Sequence, residues 1–304
     1  MNQKDLVEKI NKLKEEKNAI ILAHTYQNVE IDEVADFSGD SLFLSQQAAK
    51  TDADIIVFAG VYFMAETAKI LSPSKKVLLP DLTAGCAMAD KINLKQLREF
   101  KAKYPNIPVV CYVNSTAEVK AESDVCCTSA NAVNVVKSLG AKDVLFAPDK
   151  NLGKYVESQL DGVNVITYDG FCPIHHEITV ADVERQKNLY PSAMVMVHPE
   201  CQKPVTDLAD FVGSTTAIIK AVKESSAKEF IIVTEKGVVD RLKRDCPEKT
   251  FVLIKSSAVC ESMKLITLEN ILSVLETESN EIIVSTDIAE RAVSAIDKMV
   301  KINS

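Results

Sequence analysis

The stretch Val163-Asn-Val-Ile-Thr-Tyr-Asp-Gly-Phe-Cys-Pro-Ile-His-His-Glu-Ile-Thr-Val-Ala-Asp-Val-Glu184 contains the pattern that decides the fold. A short apolar run is followed by a cysteine, and seven residues after that cysteine a threonine opens an amphipathic stretch. Threonine is favoured before a helix because its hydroxyl oxygen accepts a free backbone N–H. The stretch therefore predicts a strand, a loop that carries Cys172 and a helix that begins after Thr179.

The same order of features occurs twice more in the chain. Cys172 lies 86 residues after Cys86, and Cys260 lies 88 residues after Cys172. Residues able to cap a helix stand seven positions after the other two cysteines, at Asn93 and Thr267. A repeat of this kind indicates a fold assembled from similar units, so the rest of the chain has to be compared at the same spacing.

Markers upstream of each cysteine keep nearly the same spacing. Each repeat begins with an apolar run that ends at a ring residue, and a hydroxyl residue further on opens a helical pattern. The ring residues are His24, Tyr112 and His198, and the hydroxyl residues are Ser41, Ser129 and Thr215. Two more short runs rich in Val and Ile follow in each repeat, separated by helical patterns, which is typical of parallel βαβ units.

The sequence therefore predicts an α/β fold of three β-α-β-α-β repeats with parallel sheets, related by a pseudo-threefold axis. The expected divisions are 1–104, with an N-terminal and a linking helix, 105–189, with a linking helix, and 190–304, with C-terminal helices. Ligands bind at the carboxyl ends of strands in parallel sheets, where all these markers fall. We therefore expect the active site at the central interface of the three repeats.

Composition limits the classes of partner. The 304 residues carry a net charge of −8 and contain no block of Lys or Arg, which argues against nucleic acid and anionic membranes as partners. The longest uncharged apolar run, Ile55 to Ala65, is shorter than the roughly 20 residues of a membrane span. No secretory signal is visible. We expect a cytoplasmic protein whose cysteines are reduced.

Each repeat also carries a pair of polar residues at its first strand end. Residues i and i+2 of an extended chain point to the same side, so each pair can face a common cavity. The pairs are His24-x-Tyr26, Tyr112-x-Asn114 and His198-x-Glu200. Burying such groups is costly unless they have partners or a function. The spacing therefore predicts a polar cavity beside the three cysteines.

Three convergent thiolates suit two kinds of centre. Zinc bound by three cysteines keeps a fourth position for water, whereas a [4Fe-4S] cluster bound by three cysteines leaves one iron open as a Lewis acid. Spacing alone does not choose between them, although three distant loops favour the larger cluster. We expect the remaining cysteines to be structural, with Cys111 in the core and Cys246 exposed in a charged stretch.

Several motifs, taken in order, resemble the quinolinate synthase family from about residue 20 to about residue 275. They are Ala23-His-Thr-Tyr-Gln27, Gly39-Asp-Ser41, Ala84-Gly-Cys-Ala-Met-Ala-Asp90, Tyr112-Val-Asn-Ser-Thr-Ala-Glu-Val-Lys-Ala121, Cys127-Thr-Ser-Ala-Asn131, Asp169-Gly-Phe-Cys-Pro-Ile-His-His176, His198-Pro-Glu-Cys201, Gly213-Ser-Thr-Thr216, and Cys260 with Met263-Lys264. The whole set is specific, whereas Gly39-Asp-Ser41 alone would be weak.

The resemblance implies a [4Fe-4S] enzyme of NAD biosynthesis that condenses iminoaspartate with dihydroxyacetone phosphate to quinolinate, phosphate and water. A further partner implied is the enzyme that supplies iminoaspartate. The implied cluster ligands are Cys86, Cys172 and Cys260. The implied substrate contacts are His24, Ser41, Tyr112, Asn114, Ser129, His198, Glu200 and Thr215. We expect Glu200 to be the general base, assisted by Tyr26 and His198.

Three other readings remain open at this point. Enzymes of the diphthamide-forming or hydroxymethylbutenyl diphosphate reductase type also draw one cysteine from each of three domains, although the paired polar residues argue against both. A non-catalytic iron–sulfur sensor needs a partner surface, for which no pattern is visible. A zinc lyase or hydrolase would be separated by metal analysis. The long acidic segment from Thr25 to Gly39 is the expected candidate for a lid.

Overall fold

The computed structural model describes residues 2–302, and within this range twelve strands form three parallel sheets. The first sheet contains β1 (Ala19–His24), β2 (Phe37–Gly39), β3 (Ile55–Ala59) and β4 (Lys76–Leu78). The second contains β5 (Val109–Tyr112), β6 (Val125–Cys127), β7 (Asp143–Ala147) and β8 (Asn164–Thr167). The third contains β9 (Met194–Val197), β10 (Phe211–Val212), β11 (Glu229–Val233) and β12 (Thr250–Leu253).

Helices alternate with these strands. They are α1 (Gln3–Glu16), α2 (Ser41–Lys50), α3 (Tyr62–Leu71), α4 (Leu94–Ala102), α5 (Ala117–Ala121), α6 (Ala132–Ser138), α7 (Lys150–Ser158), α8 (Pro173–His176), α9 (Val180–Leu189), α10 (Lys203–Thr206), α11 (Thr215–Glu224), α12 (Lys236–Asp245), α13 (Glu261–Lys264), α14 (Leu268–Thr277) and α15 (Thr286–Lys301). Short 3-10 helices cover Val29–Glu33 and Ala89–Lys91. None of the helices within 2–302 combines the length and the apolar content needed to cross a bilayer.

The three sheets share one topology, which confirms the predicted α/β threefold repeat. Their orders are β2-β1-β3-β4, β6-β5-β7-β8 and β10-β9-β11-β12. The first strand of each repeat is therefore central. The second and third strands of the repeat lie on either side of this first strand, so the connection between them crosses it. This reversal of direction opens a crevice at the carboxyl end of the central strand, where ligands bind in such sheets.

The predicted β-α-β-α-β order did not include the second strand that the structure shows in each repeat. Strands β2, β6 and β10 contain only two or three residues and pair on one side alone, at a sheet edge. A strand this short shows no periodicity that could be distinguished from a loop.

A repeated aspartate marks the entrance to each short edge strand. In every repeat its carboxylate accepts a backbone N–H from the central strand at 2.7 Å. The pairs are Asp36 with Ile21, Asp124 with Val109, and Asp210 with Val195. The three aspartates lie 88 and 86 residues apart, at the spacing of the other markers. The pseudo-threefold relation therefore extends to side-chain hydrogen bonds.

The linking helices begin where the sequence predicts. Asn93, Thr179 and Thr267 each form a capping box with the residue three positions later. Each linking helix then packs on the sheet that follows it. The ring centroid of Phe100 in α4 lies 5.6 Å from that of Tyr168, just after the second sheet. Helix α9 contacts β11, and α14 contacts β3. The third repeat thus returns to the first, and the three sheets surround a common centre.

Two local predictions were wrong. Helix α6 begins at Ala132 and not near Ser129, because Asn131 Oδ1 accepts the N–H of Thr128 at 2.9 Å and closes a turn before the helix. Cys246 is buried, with 6% of its surface exposed, because it ends the amphipathic helix α12 within the core of the third sheet. Cys111 lies in the core as predicted.

Candidate active site

A central cavity of about 290 Å³ lies among the three sheets. All twelve residues that the sequence singled out line it, although they are distributed over the three repeats. They are His24, Tyr26, Ser41, Cys86, Tyr112, Asn114, Ser129, Cys172, His198, Glu200, Thr215 and Cys260. The volume suits a small molecule. The fold therefore brings together the whole predicted set, while the role of each member is a separate question.

Glu200 is the central carboxylate of this cavity, with only 4% of its surface exposed. Tyr112 donates its hydroxyl hydrogen to Glu200 Oε1 at 2.5 Å, and His175 Nδ1 lies 2.8 Å from Oε2. Burial by itself would raise the pKa of Glu200, but the imidazoles of His175 and His198 and these hydrogen bonds lower it to about 2. Glu200 is therefore ionised at neutral pH and can accept a proton.

Four other titratable rings of the cavity are held neutral. Burial lowers the pKa of both His24 and His198 to about 3, although the charge of Glu200 opposes this change. Burial and the charge of Glu200 raise the pKa of Tyr26 and Tyr112 well above its usual value. At neutral pH the ionised Glu200 carboxylate therefore lies among these neutral rings, and Asp40 and Glu261 add two further acidic side chains to the cavity lining.

A chain of hydrogen bonds connects Glu200 to Tyr26 through His175 of the second repeat and Thr234 of the third. Beyond the contact with Glu200, His175 Nε2 lies 2.8 Å from Thr234 Oγ1, which in turn lies 3.0 Å from the hydroxyl oxygen of Tyr26. If His175 donates from Nδ1 to Glu200, its Nε2 accepts from Thr234, and Thr234 accepts from Tyr26. Thr215 donates to the same Tyr26 oxygen at 3.3 Å. The chain is a continuous route for protons between phenol and carboxylate.

Thr234 is a central link of this route, and its side chain is fully buried. We expect Thr234→Val to lower kcat by about 10²-fold with a small change in KM, because valine keeps the shape but removes the hydroxyl. Thr234→Ser restores the hydroxyl and is the matched control, expected to stay near the wild-type kcat. Steady-state kinetics of the two variants check this. Equal kcat values for valine and serine would show that no proton passes through residue 234.

The three cysteines form the second group of the cavity. Each sulfur accepts a hydrogen bond from the backbone N–H three residues later, at Ala89, His175 and Met263. Burial raises the pKa of Cys86 to about 12 and of Cys260 to about 11, and raises that of Cys172 as well. None of the described residues that line the cavity is Lys or Arg, and Lys264, outside the lining, opposes the rise in the pKa of Cys260.

The cavity also contains a second group of donor atoms close enough together to bind a metal. Ligand atoms of Cys172, His175 and Glu200 all lie within 4.8 Å of one another. Buried thiols with high pKa values lose their protons when a metal binds, and backbone N–H groups directed at the sulfurs then stabilise the thiolates. Three sulfurs on separate loops, each with such a donor, fit a group bound at the centre of the three repeats.

Two buried carboxylates hold the second and third cysteine loops. Asp149 Oδ2 accepts the backbone N–H of Cys172 at 3.1 Å, and Glu235 Oε1 accepts that of Cys260 at 3.2 Å. The carboxylates cap helices α7 and α12 and lie 86 residues apart. The first repeat has Val61 at the same phase, so its cysteine loop lacks this support.

Two helix N-termini in the cavity lining are suited to anions. Ser41 and Thr215 are the first residues of α2 and α11, where free N–H groups and the helix dipole favour negative charge. Asn114, which also lines the cavity, offers an acceptor for a different kind of group. Its buried Oδ1 has no hydrogen-bond partner within the described chain. Such an unpaired buried oxygen needs an explanation, and a bound donor supplies one.

Ser129 lies on the turn before α6 and is positioned from outside the cavity. Asn131 Nδ2 donates to the carbonyl oxygens of Met299 at 2.9 Å and Ile302 at 2.7 Å, at the end of α15. Because Asn131 Oδ1 also closes the turn at Thr128, one side chain connects the Ser129 turn to the C-terminal helix.

Sequence reasoning missed several of these contributors. Thr234 has no hydroxyl counterpart in the other repeats, where Gly60 and Pro148 stand at the same phase, so the period conceals it. Asp149 and Glu235 do share the period and could have been found by it. His175 follows Cys172 by three residues, and it contacts both Cys172 Sγ, at 3.3 Å, and Glu200.

Comparison with known proteins gives one consistent result. The family model described as quinolinate synthetase A protein matches residues 8–301. A quinolinate synthase of Alkaliphilus metalliredigens is 52% identical over 302 residues, which are 99% of this chain and 100% of that protein. Those of Thermodesulfovibrio yellowstonii and Methanosarcina barkeri are each 49% identical, over 98% and 99% of both chains respectively.

The match extends over nearly the whole chain and includes every residue of the cavity. Its extent agrees with the fold, since each of the three repeats lies inside the matched range. The chain therefore belongs to the quinolinate synthase family, the enzymes that form quinolinate in NAD biosynthesis.

Proposed function

We propose that this enzyme condenses iminoaspartate with dihydroxyacetone phosphate to form quinolinate, phosphate and water, with a [4Fe-4S] cluster bound by Cys86, Cys172 and Cys260. The observation that carries the proposal is the convergence of these cysteines and three pairs of polar residues on one cavity. When bound, a cluster with three cysteine ligands supplies a Lewis acid at its remaining iron.

The anionic groups of the substrates would bind to the hydroxyl residues of the cavity lining. Ser41 and Thr215 offer hydroxyls at helix N-termini, and Ser129 offers a third hydroxyl from its turn. The neutral imidazoles of His24 and His198 add uncharged partners. Phosphate and carboxylates would thus be held by hydrogen bonds and helix dipoles, without a lysine or arginine in the cavity wall.

The same absence of lysine agrees with the chemistry of the nitrogen substrate. Iminoaspartate carries its own nitrogen, so no residue has to form a Schiff base with a carbonyl. Its enamine carbon would form the new C–C bond at the phosphate-bearing carbon, and the C–O bond to phosphate would break. The remaining steps, isomerisation, ring closure and loss of water, require protons to be taken up and returned.

Glu200 is the residue suited to accept those protons, because it is buried and ionised and both of its oxygens have partners that hold it in place. Tyr26 is suited to return them, since its hydroxyl is connected to Glu200 through Thr234 and His175. His198 lies beside Glu200, with Nδ1 4.0 Å from Oε2, and would assist by orienting the carboxylate and the substrate.

The test is anaerobic reconstitution with iron and sulfide, followed by an assay for quinolinate from iminoaspartate and dihydroxyacetone phosphate. We expect product only from protein that contains the cluster. Metal and sulfide analysis of the same sample distinguishes the cluster from zinc. An intact cluster that yields no quinolinate from these two substrates would refute the proposed reaction.

A further inference from the structure

The loop that carries Tyr26 belongs to the first repeat but is attached to the third. Asn28 Nδ2 donates to the carbonyl oxygens of Ile266 at 3.2 Å and Lys264 at 3.5 Å, and Gln27 Nε2 lies 3.3 Å from Met263 Sδ. We call residues 25–28 the tyrosine loop. All these partners lie in the segment that follows Cys260.

Lys264 makes the most direct of these contacts. Its Nζ donates to the carbonyl oxygen of Tyr26 at 2.5 Å and, at a longer 3.5 Å, to that of Gln27. The same atom lies 3.4 Å from Glu235 Oε1, the carboxylate oxygen that accepts the N–H of Cys260. An ammonium group carries three N–H donors, and here it has three acceptors. The Lys264 side chain is 18% exposed.

Glycine at position 237 allows the tyrosine loop to approach helix α12 closely. A Cβ atom at Gly237 would lie 2.7 Å from the carbonyl oxygen of Thr25 and 2.8 Å from Cα of Tyr26, distances shorter than real Cβ contacts. It would also lie 2.8 Å from Glu235 Oε2. The backbone of Tyr26 therefore rests directly on the first turn of this helix, and any side chain there would displace it.

We propose that Lys264 is a positioning residue for Tyr26, which it holds to the Cys260 loop through Glu235, with Gly237 providing the surface on which the tyrosine loop lies. One ammonium group thus joins a backbone carbonyl of the first repeat to the carboxylate that supports a cysteine loop of the third. The orientation of the Tyr26 phenol then depends on the interface between these two repeats. The inference rests on the proposed function of Tyr26.

The segment from Thr25 to Gly39, the expected lid, contacts the third repeat at two places. Its beginning is held by Lys264 and Gly237, and further along Asp32 forms ion pairs with Arg244 at 2.5 Å and Arg241 at 3.8 Å, both on α12. The segment is therefore attached at both places to the third repeat. A movement of the tyrosine loop away from the third repeat would break the contact between Lys264 and Tyr26.

The test compares Lys264→Met with Lys249→Met in reconstituted enzyme. Lys249 is the matched control, because its Nζ also donates to two backbone carbonyls, those of Val222 at 2.6 Å and Ser225 at 2.8 Å, away from the cavity. We expect Lys264→Met to lower kcat by about tenfold to 10²-fold, since a displacement of about 1 Å can cost that much. KM and cluster content should remain near those of wild type, and Lys249→Met should leave kcat unchanged.

A second measurement is independent of turnover. Hydrogen exchange at the amides of Tyr26 and Gln27 should become faster in Lys264→Met and stay unchanged in Lys249→Met. Gly237→Ala should have the same effects on exchange and kcat, with iron and sulfide retained. Unchanged hydrogen exchange and unchanged kcat in Lys264→Met would overturn the inference. Loss of the cluster from both Lys264→Met and Gly237→Ala would also overturn it. If the wild-type enzyme forms no quinolinate, the proposed function is refuted instead. The hydrogen-exchange result would still decide whether Lys264 holds the tyrosine loop in place.

Discussion

Replacing Glu200 with glutamine lowers kcat for quinolinate formation by about 10²-fold to 10⁴-fold, while the iron and sulfide content of the protein stays at the wild-type level. Glutamine keeps the size of the side chain, and its one carbonyl oxygen can still accept the hydrogen bond from Tyr112. It cannot accept the proton, because an amide has no basic oxygen near neutral pH. The loss should therefore appear in kcat more than in KM.

The control for this prediction is Glu66→Gln, a largely buried carboxylate that does not line the cavity. Glu66 Oε2 accepts the N–H of Ala117 at 3.2 Å, and burial raises the pKa of Glu66. An amide can replace it there, so we expect turnover near that of wild type. Near-normal turnover by Glu200→Gln with an intact cluster would show that another residue is the base.

Replacing Cys172 with serine abolishes both cluster binding and quinolinate formation. A hydroxyl is a poor iron ligand compared with a thiolate, and the two remaining cysteines cannot hold the cluster alone. We expect iron and sulfide to fall to near background after anaerobic reconstitution, together with the visible absorption of the cluster. Activity should fall with them, below the limit of the assay.

Cys246→Ala is the matched control for this loss. Cys246 is also a buried thiol of the chain, but it lies in the core of the third sheet and not in the cavity. Its replacement should leave iron, sulfide and turnover near wild-type levels, with at most a modest loss of stability. Full cluster content in Cys172→Ser would exclude this residue as a ligand, and zinc in place of iron in wild type would exclude the cluster.

The three cysteines and Glu200 need opposite protonation behaviour within one cavity. The cysteines need a site that favours the loss of protons only when a metal is bound, and burial with backbone donors meets that need. Glu200 has to be ionised without a metal, and the hydrogen bonds from His175 and Tyr112 favour its charged form. Three repeats with one backbone plan but different side chains allow these environments to lie side by side.

Much of the cavity could be predicted because the period relates equivalent positions. Residues at the end of the central strand have the same relation to their own sheet in each repeat, so finding His24 indicates where Tyr112 and His198 lie. The cysteine loops follow the same rule. The period also places every marker at the carboxyl ends of the strands, where the crossover in a parallel sheet leaves room for a ligand.

The repeat, the α/β fold and the twelve side chains that share the cavity could be predicted from residue spacing, because spacing along the chain specifies positions within each sheet. The contacts between side chains of different repeats could not be predicted in this way. Tyr26 meets Thr234 and Lys264 although 208 and 238 residues separate them. These contacts depend on how the sheets are rotated about their common centre, and no periodicity within a repeat contains that angle.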